Sequence, residues 1–258
     1  SPRGVALLVN PKSKIQNPKS VKPWPKEIDE WTHYLHDASN NAVAHDTVVG
    51  PPRRLQWTAD PRWVRHHDHV TGVNAMVSAG GRLFHVVDEA PTASILLPPQ
   101  WSLVARDAFN GLVLWKRALP DWVPHLWPLK SGPAQLPRRL VAVGERVFVT
   151  LGLDAPLSML DAATGNTLRT YPESKSTEEA VWCDGLLFLL VSDQPNAWQR
   201  YRVEAVELGA EKARVGAGWN WDEKERTLLA LEPDSGAVRW KRACQVAPLT
   251  LAADSRRV

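Results

Sequence analysis

The densest set of side chains able to do chemistry in this sequence is the stretch RWVRHHDHV. It places His66, His67, Asp68 and His69 in consecutive positions. Imidazoles and a carboxylate are common ligands of divalent metals, and a protonated set would hold a small anion. The spacing lacks the i, i+4 pair that puts two histidines on one helical face, so only a loop could turn these groups toward one ion. The plainer alternative makes them polar loop residues hydrogen-bonded to neighbouring strands. A second stretch, Asp121 to Pro137, brings His125, Trp127 and Lys130, with Arg138 and Arg139 just beyond its end. A third group holds His33, His36 and Asp37. On a strand those two histidines face opposite sides, which favours structural roles.

Several chemistries are excluded at the level of motif. The sequence has no G-x-S-x-G, no G-x-x-x-x-G-K-[ST] and no H-E-x-x-H, so isolated serines receive no catalytic assignment. Cys183 and Cys244 stand alone, without a CxxC or CxxCH, which removes a covalently attached c-type haem and a cysteine-rich zinc module. Each is read as a small buried apolar residue. The 258 residues carry a formal net charge of +3 with the basic residues scattered, so composition asks for no nucleic-acid partner. No apolar run reaches the roughly 18 residues of a transmembrane helix, and residues at the start lack the order of a signal peptide.

The elements that would position these groups are β-hairpins. LVARDAFNGLVLWKR (103–117), LSMLDAATGNTLRTY (157–171) and LLALEPDSGAVRWKR (228–242) align on Asp107, Asp161 and Glu232. Each acid is followed four residues later by Gly111, Gly165 or Gly236, and four further on by Trp115, Arg169 or Trp240. The acid can accept backbone amides within the turn, the glycine closes it at positive φ, and the next strand presents an aromatic to the neighbouring layer. Where Arg169 breaks the rule, Tyr171 lies on the same strand face and substitutes. Upstream of each stands a second hairpin: 74–87, 139–151 and 180–191, with tight turns at Gly-Gly, Gly-Glu and Asp-Gly.

Each pair of hairpins makes a four-stranded antiparallel unit, recurring by matching position at Leu83, Val147 and Leu187. Insertions 89–101 and 194–226 fall between second and third strands; the latter carries Trp198, Trp219 and Trp221, able to stack on a sugar or a partner, or to pack on their own blade. The fold class expected is therefore all-β: a β-propeller of four-stranded blades, about three of them complete. LTLAADSRRV begins a fourth, with Leu249 to Ala253 as first strand and Asp254 to Arg256 as its turn. Pro52 to Trp57 reads as the outer strand of a closing blade, and the chain as a piece of a longer protein. In this geometry the segments with His66 to His69 and with His125 and Lys130 cross toward one mouth of the central channel, alongside Arg138 and Arg139. Trp57, Trp115 and Trp240 serve as docking residues between blades.

The repeat A-x-D-x-x-[TN]-G-x-x-x-W, as ARDAFNGLVLW and more weakly as MLDAATGNTLR and ALEPDSGAVRW, resembles the pyrroloquinoline-quinone repeat of quinoprotein-like β-propellers. WTHYLHDASNNAV (31–43) is similar to the segment preceding the first blade in that family. The resemblance covers 31–258 and implies a propeller commonly of eight blades. It divides the expectations between quinone-dependent alcohol or sugar dehydrogenases, with pyrroloquinoline quinone and calcium as cofactors, and non-catalytic relatives such as the propeller subunit of the outer-membrane barrel assembly machinery. The dehydrogenases add an adjacent Cys-Cys pair, missing here, and no calcium ligand carries over. The expectation is accordingly a non-catalytic scaffold for a protein, small-molecule or carbohydrate ligand within a larger bacterial, extracytoplasmic (periplasmic) protein. The alternative is a dehydrogenase using the channel mouth near His66, His67, His69 and His125. Residues 1–30 read as the tail of an upstream domain followed by a Lys- and Pro-rich linker, since SPRGVALLV resembles the late strand of methyltransferase-like domains.

Overall fold

The computed structural model describes residues 5–7, 19–21, 24–48, 50–51, 53–60, 72–94, 97–123, 136–193, 225–246 and 249–258. A short antiparallel ladder pairs β1 (Val5–Leu7) with β2 (Lys19–Val21). Three four-stranded antiparallel sheets follow. The first holds β3 (Val73–Ala79), β4 (Arg82–Asp88), β5 (Trp101–Asp107) and β6 (Val113–Ala118). The second holds β7 (Leu140–Val143), β8 (Arg146–Thr150), β9 (Leu157–Asp161) and β10 (Thr167–Thr170). The third holds β11 (Thr177–Cys183), β12 (Leu186–Ser192), β13 (Arg226–Leu231) and β14 (Val238–Cys244). In each sheet the strands lie side by side in chain order, and Leu83, Val147 and Leu187 face Ser78, Ala142 and Trp182 in identical register.

These sheets are propeller blades. Their first strands β3, β7 and β11 touch one another in sequence, which makes them the inner edge of the array. Outer strands β6, β10 and β14 are largely exposed, and Lys116, Arg117, Lys241 and Arg242 on two of them discourage edge-to-edge pairing. The middle strands read as nearly unbroken apolar runs because both faces are covered. Leu140, Ala142, Val147, Val149 and Leu160 of the second blade pack on the first, while Val141, Phe148, Leu157 and Met159, on the opposite face, pack on the third. That strict alternation is the period of two along a strand.

Turn chemistry sets each outer hairpin. Asp107 Oδ1 accepts the amides of Phe109 (2.8 Å) and Asn110 (3.0 Å), and Asp161 Oδ1 those of Ala163 (3.1 Å) and Thr164 (2.8 Å). Glu232, one methylene longer, instead accepts the Ser235 hydroxyl at 2.9 Å. Gly111, Gly165 and Gly236 all sit near φ +75°.

Two of those glycines also receive indole rings from the preceding part of the chain. A Cβ on Gly165 would stand 2.7 Å from the Trp115 ring, and one on Gly111 would stand 2.5 Å from the Trp57 ring. Trp115 Nε1 donates to Ala162 O and Trp57 Nε1 to Ala108 O, each at 3.0 Å. At the third such junction Tyr171 reaches the equivalent carbonyl, its hydroxyl donating to Pro233 O at 2.7 Å, while Arg169 lies over Gly236. Burial pushes the Tyr171 phenol up to about 12, so it remains a donor at all ordinary pH. Replacing Tyr171 by Phe leaves Pro233 O without this partner, and a loss of about 1–2 kcal/mol in urea unfolding is expected. Trp240 packs at 6.1 Å from Phe188, as Trp115 does at 6.0 Å from Phe84, and is 38% exposed.

Two stretches differ from the sequence expectation. Residues 53–57 form no strand, for no partner ladder flanks them among the described residues; the segment is held by Trp57 and by Gln56 Nε2 donating to Phe109 O (2.7 Å). Leu249 to Ala253 likewise joins no ladder among the described residues. Leu251 and Ala253 are nonetheless buried against the third blade, and Asp254 Oδ1 caps a turn by accepting Arg256 N (2.7 Å) and Arg257 N (2.8 Å).

Candidate functional site at the inner edge of the blades

A strap of chain, Trp31 to Asn40, runs across the inner strands. Trp31 O accepts Ser78 N (2.7 Å), Thr32 O accepts Ala142 N (2.9 Å), and His33 Nε2 accepts Trp182 N (3.0 Å). Those three amides belong to matching positions of β3, β7 and β11. Further along, Ala38 O accepts Ala253 N at 2.8 Å. The strap thus satisfies edge amides that would otherwise need water or another strand.

His33 and His36 are not on an extended strand. A backbone bond from His33 N to His36 O (3.0 Å) closes a tight reversal, and His36 adopts φ +73°, which lets both imidazoles be buried. Burial pushes His33 down to about 4, with Asp37 opposing, and its neutral Nε2 is what accepts the Trp182 amide. His85 in β4 is also pushed down to about 4 by burial, then by Arg106. Between pH 6.5 and 4 the unfolded chain binds protons at these two positions that the folded chain refuses. Stability therefore falls as pH drops through that window, by up to about 3 kcal/mol for each histidine, and levels off below it. Buried Glu179, whose pKa is raised by burial, acts in the opposite direction. The His33→Gln variant, which keeps an acceptor, should show a shallower slope than the parent in urea midpoints measured from pH 7 to 4.

Arg138 and Arg139 end a single tight helical turn, Leu136–Arg139, that leads into β7. Arg139 is 1% exposed; its guanidinium donates to Leu153 O at 2.6 Å, and burial pushes its pKa down to about 10. Arg138 pairs with Glu179 at 3.3 Å, donates to Asn40 Oδ1 at 3.4 Å, and lies 5.7 Å over the Tyr34 ring. Glu179 also accepts the amides of Leu249 and Leu251. The cavity left among His33, Tyr34, Asn40, Arg138, Leu140 and Glu179 is about 10 Å³, room for about one water. A larger apolar hollow of about 470 Å³ runs along β3, bordered by Trp31, Tyr34, Met76 and Leu83.

His66, His67, Asp68 and His69, together with His125 and Lys130, lie outside the described residues, as do Trp127, Trp198, Trp219 and Trp221. A group not singled out by the sequence is brought together beside the strap. Asp29 Oδ2 lies 2.7 Å from His36 Nε2 and accepts His45 N at 2.5 Å, and the His36 and His45 rings meet edge to face at 4.8 Å. Its spacing, six residues between the first two and eight between the last, matches no standard metal motif. Cys183 and Cys244 are both half-buried free thiols.

No protein-family model matches the chain, and neither does any curated protein. Similarity appears only among solved structures. A europium-containing methanol dehydrogenase aligns at 11% identity and TM-score 0.43, covering 86% of this chain and 33% of its own. A quinohemoprotein alcohol dehydrogenase from Pseudomonas putida aligns at 13% identity and TM-score 0.45, covering 84% and 27%. BamB from Moraxella catarrhalis aligns at 11% identity and TM-score 0.22, covering 66% and 61%. The chain thus spans less than two thirds of the length of these structures. Its propeller architecture is read from its own ladders and inter-blade contacts.

Proposed function

We propose that this chain is part of a non-catalytic β-propeller that serves as a binding scaffold for a protein or small-molecule ligand outside the cytoplasm. The observation that carries the reading is the strap. Its carbonyls and His33 accept matching amides along the inner edges of the three described blades, which supports a structural rather than a catalytic use of this edge. The extracytoplasmic setting rests on the resemblance of the tryptophan repeat. Among the described residues, no helix is long and apolar enough to cross a membrane.

The described residues around Arg138 do not fit pyrroloquinoline quinone. A planar tricarboxylate needs open space and free cations, and its calcium ion needs six to eight oxygen ligands. The cavity beside Arg138 is about 10 Å³. Glu179 is already engaged with Arg138 and two backbone amides, and Arg139 with a carbonyl. These side chains hold the blades and strap together, and no redox step is assigned to them.

The discriminating experiment titrates the 258-residue chain with pyrroloquinoline quinone and calcium, reads tryptophan fluorescence, and then assays dye reduction with alcohols and sugars. The scaffold reading expects neither saturable binding nor dye reduction. Stoichiometric quinone binding with substrate-dependent dye reduction would overturn it.

A further inference from the structure

We propose that Asp29, His36 and His45 form a binding site for a zinc-class divalent transition metal ion. One ligand atom from each residue lies within 4.8 Å of the others. Tetrahedral zinc bound at about 2.0–2.1 Å holds its ligand atoms about 3.3 Å apart, so the set closes on an ion by shifts of about an ångström. The residue with room to shift is exposed His45, whereas His36 is 3% exposed and Asp29 is held by the amides of Glu30 and His45. Trp31 packs edge-on against the His36 ring at 5.2 Å and holds its orientation.

A second, independent feature is the far side of that ring. His36 Nδ1 is buried without a hydrogen bond, and Asp37 Oδ2 stands 3.3 Å from it. Asp37 is itself anchored, accepting the Ser39 amide (2.9 Å) and hydroxyl (2.6 Å). With Nε2 on an ion, Nδ1 would carry the proton, and Asp37 is the carboxylate placed to accept that N–H once ring and carboxylate align, as in carboxylate–histidine–metal sites. Two nitrogens and one oxygen select zinc-class ions over calcium or magnesium, which prefer all-oxygen shells. Three protein ligands leave a fourth position for water or another donor. The site does not depend on the scaffold reading; it would fasten residue 45 to the strap in either case.

The test uses the metal-stripped 258-residue chain, titrated with cobalt(II) for its visible absorption and then with zinc in competition. One equivalent per chain and a zinc-dependent rise in unfolding temperature are expected. His45→Ala and Asp29→Ala change exposed side chains, so both should fold, with circular dichroism as the check. Each should bind more than about 100-fold more weakly, and Asp37→Asn about 10–100-fold more weakly. A combined His66→Ala, His67→Ala and His69→Ala variant should bind as the parent does. Less than one equivalent bound, binding unchanged in His45→Ala, or binding lost only in the combined variant would overturn the proposal.

Discussion

Replacing Gly165 by alanine is expected to destabilise the protein by about 3 kcal/mol, and Gly111 by a similar amount, while the same change at Gly236 costs about 1–2 kcal/mol. All three glycines share φ near +75°, where an L-residue pays about 1–2 kcal/mol. The difference lies in what the new methyl meets. At Gly165 and Gly111 it runs into the indole of Trp115 or Trp57 at 2.7 and 2.5 Å, and relieving such overpacking costs about 1–3 kcal/mol more. At Gly236 the nearest atom is a guanidinium nitrogen of Arg169 at 3.3 Å, on a side chain able to swing aside. Urea midpoints of the three variants at one pH check the order. Equal losses at all three positions would mean that the rings are not seated on the glycines.

The second large effect is expected at Glu179. Its carboxylate is 1% exposed and joins three things: Arg138, the amides of Leu249 and Leu251, and through Arg138 the strap residue Asn40. Removing it with Glu179→Ala leaves Arg138 and two amides short of their partner. Breaking a buried pair from one side costs about 3–5 kcal/mol. Glu179→Gln retains an acceptor oxygen and should lose less. Because the carboxylate tethers Leu249 and Leu251, the alanine variant should also be cleaved earlier in 249–258 under limited proteolysis. Unchanged stability and unchanged cleavage would show that the pair does not hold this segment to the third blade.

The outer hairpins were legible in the sequence because their causes are local. An acid accepting amides two and three residues on, and a glycine at positive φ four residues on, fix a turn without reference to the rest of the chain. The inner hairpins close on two-residue turns of their own, Gly80-Gly81, Gly144-Glu145 and Asp184-Gly185, which is why Leu83, Val147 and Leu187 face matching partners. The strap was less legible. The contact of His33 with Trp182 spans 149 residues, and no local pattern announces it. Reading His33 and His36 as a strand failed because His36 takes φ +73°, a backbone choice uncommon for histidine and unmarked by a glycine. Asp29 stands apart from both histidines in the sequence, and only the reversal at 33–36 brings His36 onto it. Nor does composition reveal that Arg139 is buried; an arginine opening a strand reads as a surface residue until its carbonyl partner on Leu153 is seen.

The central physical claim is that adjacent blades are joined by rings seated on glycines, and a double-mutant cycle between Trp115→Ala and Gly165→Ala measures it directly. With the indole removed, the added methyl meets no ring, so alanine at 165 should cost only its backbone share. A coupling energy of about 1–3 kcal/mol is predicted between these two positions, which lie on different blades. Losses that simply add, within about 0.5 kcal/mol, would contradict the account.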